Sequence, residues 1–160
     1  MKKVSHQIIG ITTAYVLGFP IFPAFISSTL PDLDVYFRNK KGGLLFSHRG
    51  ITHHALLVLI LTLLLLLIQN IVIKSILIGY ISHLIADVLT TSGIPYWTNK
   101  HRLSLNLFKT GSIGEYIFIS SSLIVIVVVF IVTNSFYVPI DVQLIFNVVR
   151  NFYHHIGISI

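Results

Sequence analysis

The sequence predicts an all-α integral membrane protein: a helical bundle with a short N-terminal helical hairpin, about three full transmembrane helices and a C-terminal amphipathic helix. Three observations predict it. Of 160 residues, 54% are apolar and only 10% charged, and the mean hydropathy of +0.87 lies outside the range of an ordinary soluble domain. Apolar runs recur along the chain, the plainest being the fourteen residues Ala55 to Ile68, and in hydrocarbon a helix is the simplest way to pair every backbone group. No polar linker, low-complexity block or internal repeat divides the chain, so residues 1–160 are read as one membrane-embedded domain.

The first apolar stretch, "HQIIGITTAYVLGFPIFPAFISSTL", is long enough for one span, but Gly18, Pro20 and Pro23 interrupt it. Two short helices are expected instead, roughly residues 5–17 and 21–30, joined at "GFP" and dipping into the membrane before returning. A signal peptide is the competing reading, since Lys2 and Lys3 precede the apolar core, but no A-x-A site follows. Residues 52–68 are expected to form the next helix, with Thr52 as its N-cap, and "QN" at 69 and 70 a tight turn into a helix ending near Thr91. After the polar loop "SGIPYWTNKHRLSLNLFKTGSIG", a third span is expected from about Glu115 to Val132. Residues 139–156 place Val142, Ile145, Val149, Phe152 and Ile156 on one helical stripe, the mark of an interfacial helix.

Charge orients this arrangement. With an N-terminal hairpin, one membrane face carries Lys2, Lys3, Arg38, Lys40, Lys41, Arg49, Lys100, Arg102 and Lys109, and the other only Lys74 and Arg150. A face so rich in Lys and Arg is expected in the cytoplasm of a multi-pass protein in the cell membrane. The formal net charge of +6 points to anionic lipid headgroups as partners, and no nucleic acid is expected.

The absence of cysteine excludes disulfides and thiolate metal sites, leaving imidazole and carboxylate as the available ligands. His83 and Asp87 stand four apart in "GYISHLIADVLT", hence on one helix face, with Tyr80 and Thr91 near the same stripe. That spacing suits one cation, and equally a buried His–Asp hydrogen bond. "LPDLD" sets Asp32 and Asp34 side by side behind a proline, where two carboxylates repel unless a cation or protons relieve them; an acidic turn is the plainer alternative. "SHRGITHH" adds His48 and His53 around a glycine turn with Arg49 between them. The topology gathers these segments at one membrane face. Six ligands, Asp32, Asp34, His48, His53, His83 and Asp87, exceed what one tetrahedral zinc needs, so two metals bind or some ligands stand behind the others.

"LPDLD", "SHRGITHH", "GYISHLIADVLTTSGIP" and the later "TGSIGE" resemble the successive motifs of the YdjM-like family of membrane-bound, predicted metal-dependent hydrolases, an inner-membrane family described as LexA-regulated. The resemblance covers residues 5–116 and implies metal ligands at Asp32, Asp34, His48, His53, His83 and Asp87. It also draws in His6 and Glu115. Where the family has a small polar residue after the second histidine of "HRGITH", this chain has His54, so the choice between His53 and His54 stays open. More distantly, the order of His and Asp ligands is similar to that of all-helical zinc-dependent phospholipase C and nuclease proteins, which implies phosphoester hydrolysis.

The expected chemistry is therefore hydrolysis assisted by a divalent metal, zinc first, with manganese, iron or magnesium as alternatives. Asp34 or Glu115 is the expected general base. Arg49, with Arg102, is expected to hold a small-molecule or lipid phosphoester. Two alternatives come from other classes: a metal-ion or proton transporter, and a non-catalytic membrane protein stapled by a structural metal. Ligands gathered at one face and the lack of an inverted repeat weigh against transport.

Overall fold

The structure is a computed structural model that describes residues 1–37, 50–97 and 100–136. Helix α1 spans Lys3–Val16 and α2 Ile21–Ser27. A 3-10 stretch follows over Leu30–Phe37, then a second over Ile51–His53. α3 is Ala55–Leu67, α4 Ile71–Leu89 and α5 Ile113–Phe136. Between α4 and α5, β1 (Ile94–Pro95) and β2 (Arg102–Leu103) pair antiparallel, Ile94 opposite Leu103. The chain divides into two compact units, residues 1–126 and 127–160, with the break inside α5; the candidate site lies in the first.

The N-terminal hairpin forms as the interrupted sequence predicts. Gly18 takes a left-handed φ of 73°, and the Phe19 amide reaches back to the Ala14 carbonyl at 2.8 Å while the Gly18 amide donates to Tyr15 at 3.1 Å. This glycine-ended cap satisfies the last carbonyls of α1 and turns the chain. Pro20 precedes α2, and Pro23 sits in its first turn, where the missing N–H has no helical partner to lose.

Helix α4 is the hub against which α1, α2 and α3 pack. Its approach to α2 is close: a Cβ added to Gly79 would lie 2.3 Å from the Ala24 carbonyl oxygen and 2.1 Å from Ser27 Oγ. Ser75 Oγ also donates to the Pro20 carbonyl. At its C-terminus, the loop leaving β2 runs back along the helix, with Leu105 N donating to Val88 O at 2.8 Å and Leu107 N to Leu89 O at 2.9 Å. Carbonyls that a helix end leaves without partners are thereby paired.

Among the described residues two helices, not the expected three, are long and apolar enough to cross a membrane: α4, and Ile113–Asn134 of α5. α3 falls short because it starts three residues late. Thr52 is taken into the 3-10 turn and His54 becomes the N-cap, its Nδ1 accepting from Leu56 N at 3.2 Å. The 13 residues that remain rise about 20 Å against a hydrocarbon core of about 30 Å. The outer faces are nevertheless greasy, with Leu59 and Leu66 of α3 67% and 70% exposed, a surface suited to lipid. The expected amphipathic helix over residues 139–156 lies outside the described residues.

Candidate metal centre

Four elements deliver side chains to one buried point. His6 comes from the first turn of α1, Asp32 from the first 3-10 stretch, His53 from the second, and His83 and Asp87 from successive turns of α4. His6, His53, His83 and Asp87 are at most 1% exposed. Unpaired charge is costly at such depth, so the arrangement has to balance itself.

The ring orientation of His83 follows from what faces it. Its Nδ1 lies 2.6 Å from the Ser28 carbonyl oxygen, which can only accept; Nδ1 therefore carries the hydrogen and Nε2 a lone pair. On His53, Nδ1 sits 3.0 Å from Thr52 Oγ1 and 3.4 Å from Asp34 Oδ2, while Thr52 donates its own hydroxyl to Asp34 at 2.9 Å. The His53 Nδ1–H is thus held by Thr52 and Asp34, and its Nε2 also presents a lone pair. Tyr80 OH donates to the Thr52 carbonyl at 2.9 Å, fixing that turn.

The two Nε2 atoms are 3.2 Å apart. Around them, His53 Nε2 is 3.6 Å from Asp32 Oδ1 and 3.7 Å from Asp87 Oδ2; His83 Nε2 is 3.7 Å from Asp32 Oδ1 and 3.8 Å from Asp87 Oδ2. A tetrahedron of ligand atoms about 2.0–2.2 Å from a zinc ion has edges of about 3.3–3.6 Å. Two imidazole lone pairs and two carboxylates facing one another at this spacing form a donor set that a divalent cation neutralises. His6 extends the set: its ring stacks on His83 at 3.6 Å between centroids, and its Nε2 is 3.5 Å from Asp87 Oδ1. Among the described residues two overlapping groups can hold an ion, His6–His83–Asp87 and Asp32–His53–His83. Met1 N donates to Asp87 Oδ1 at 2.9 Å. Burial alone raises the Asp32 carboxyl, but the facing His53, His83 and His6 imidazoles, when protonated, outweigh it and hold Asp32 well below the usual carboxylate range.

Of the site residues expected from the sequence, Asp32, Asp34, His53, His83, Asp87 and His6 come together. His53 turns inward while His54 caps α3, which separates the two histidines left open above. Asp34 stands behind His53. Glu115 is not among the converging groups: it accepts from Lys2 N at 2.8 Å, Ser5 Oγ at 2.5 Å and Gly111 N at 2.5 Å, tying α1 to the start of α5. His48 and Arg49 lie outside the described residues. Arg102 is exposed on β2, and Thr91 is exposed beyond the end of α4. The Ser28 carbonyl and the Thr52 hydroxyl escaped the sequence reading, because a backbone acceptor carries no residue signature and Thr52 read as a helix cap.

A family model described as YdjM inner membrane protein matches residues 1–148. No curated protein and no solved structure matches the chain.

Proposed function

This chain belongs to the YdjM inner membrane protein family, and from that premise we propose that it is a membrane-bound metal-dependent hydrolase acting on a phosphoester or lipid-type substrate. The observation that carries the reading is the convergence of His53 Nε2, His83 Nε2, Asp32 Oδ1 and Asp87 Oδ2, each imidazole nitrogen 3.2–3.8 Å from the other atoms, close to the edge lengths of a cation cage.

The donor set fits a divalent ion of the zinc class, with manganese, iron and magnesium as alternatives. Asp32, His53 and His83 would hold it with Asp87 beside them, and the overlapping group of His6, His83 and Asp87 would offer a second position. Such an ion supplies Lewis acidity and a water that ionises near neutral pH. The chain's own residues do the rest. Asp34 and Thr52 keep the His53 ring in one tautomer, and Ser28 does the same for His83. Asp34, one bond removed from the cluster, acts as a positioning residue and as the nearest carboxylate to take a proton. Glu115 secures the start of α1, and so His6. Arg49 and Arg102 are proposed to meet the substrate's anionic group. We place the site at the cytoplasmic face of a multi-pass protein, on the distribution of lysine and arginine.

The test is metal content by plasma mass spectrometry on detergent-purified protein, wild type against a His83→Ala, Asp87→Ala double variant of equal monodispersity, followed by phosphoester hydrolysis with the ion restored. Near-stoichiometric metal lost in the variant, with turnover that depends on it, supports the reading. Trace metal in both sinks it. Bound metal without turnover of any phosphoester favours a structural staple, which the joining of four elements at this point would also suit.

A further inference from the structure

Beside the metal centre, one cavity has the dimensions of a ligand. An almost wholly apolar groove of about 380 Å³ is walled by Ile9 and Thr13 of α1, Leu17 at its C-cap, Leu65 of α3, and Ile81 and Ile85 of α4. Its lining extends along α4 from Ile78 to Leu89, eleven residue steps, or about 16 Å at the helical rise. That length is about half of a ~30 Å hydrocarbon core, the depth of one leaflet. A single extended chain fits.

The groove has a polar end. Ile9, Thr13 and Leu17 fall at intervals of three, four and four after His6, so all share one face of α1 with a member of the metal cluster at its head. At the same end Lys2 and Lys3 are exposed. Lys2 reaches across to α5, its Nζ donating to Tyr116 OH at 2.5 Å and lying 5.0 Å from the centre of that ring.

We propose that this groove holds one acyl chain of an anionic phospholipid, with its phosphate drawn to Lys2 and Lys3 at the end where His6 enters the metal centre. The inference rests on the hydrolase reading only in taking the held lipid as substrate; the binding site stands on the groove itself.

The test places the full-length protein in phosphatidylcholine vesicles doped with phosphatidic acid bearing a diazirine in one acyl chain, irradiates, and maps adducts by mass spectrometry. Adducts are expected to concentrate on Thr13, Ile81 and Ile85 over the exposed Leu59 and Leu66 of α3. They are expected to fall roughly tenfold, the loss of about two buried methylenes, in Ile85→Trp and in Thr13→Phe, with metal content unchanged. Ile85 is half exposed, so its replacement leaves the packed side of α4 intact, and Thr13→Phe blocks the groove from the opposite wall. Even labelling of groove and outer faces, or adducts unmoved by both variants, overturns the proposal. Equal groove labelling by diazirine-tailed phosphatidylcholine overturns its anionic part. Labelling needs no turnover: concentrated adducts without phosphoester cleavage sink the hydrolase reading alone, whereas cleavage with even labelling sinks the groove alone.

Discussion

At the scale of single residues, the cluster depends on groups that hold its ligands as much as on the ligands. Asp34→Asn keeps the shape beside His53 but removes the charge that Thr52 and His53 share. Its metal affinity is expected to fall about 10–100-fold, read by competition with a chromophoric chelator, while monodispersity is unchanged. Asp32 gives a dependence on pH. Because its carboxyl is held lower in the folded protein than its ordinary value of 3.8, the unfolded chain takes up the proton first as pH falls. The stabilisation is therefore complete above that ordinary value and drains away toward the folded one. In metal-free protein, the thermal midpoint of wild type should drop more steeply below about pH 4 than that of Asp32→Asn; parallel curves would refute it. Much of this centre was legible as letters. His83 and Asp87 declare themselves through helical spacing, and Asp32 through its place beside a second acid. His6 did not, since nothing in the α1 pattern ties it to residues beyond position 80; the hairpin returns it to the face of "LPDLD", but as a ligand it came through family resemblance.

At the scale of elements, the N-terminal hairpin was legible because glycine and proline have fixed backbone consequences, whereas the length of α3 was not. Thr52 is a plausible cap in sequence, and only the pull of Asp34 on its hydroxyl shows why the helix begins later. The 3-10 form of "LPDLD" was equally hidden, because its conformation answers to the cluster rather than to local propensity. Two predictions belong here. Gly79→Ala forces α2 away from α4, and with it the Ser28 carbonyl that orients His83; a loss of about 1–3 kcal/mol in unfolding and of bound metal is expected together. Asn70 caps α4 by accepting from Val72 N at 3.0 Å and Ile73 N at 3.1 Å. Asn70→Ala should cost about 1 kcal/mol in thermal unfolding while leaving metal content alone. If both variants lost metal equally, the special link from α2 to His83 would be refuted.

At the scale of the whole molecule, the natural absence of cysteine makes orientation straightforward to measure. Lys109→Cys should react with a membrane-impermeant maleimide only in inside-out vesicles, and Gln69→Cys only in right-side-out cells, if the basic face is cytoplasmic. The reverse pattern would move the site to the other side. The order of the ligands along the chain has a further consequence, in time. His6 and Asp87 are 81 residues apart, which at about 5–20 residues per second is roughly 4–16 s of synthesis. Throughout that interval the nascent chain carries its first histidine and its N-terminal hairpin without the helix that receives them. The centre thus cannot close before α4 has been made, so a ribosome paused ahead of α4 leaves a chain that cannot yet retain an ion.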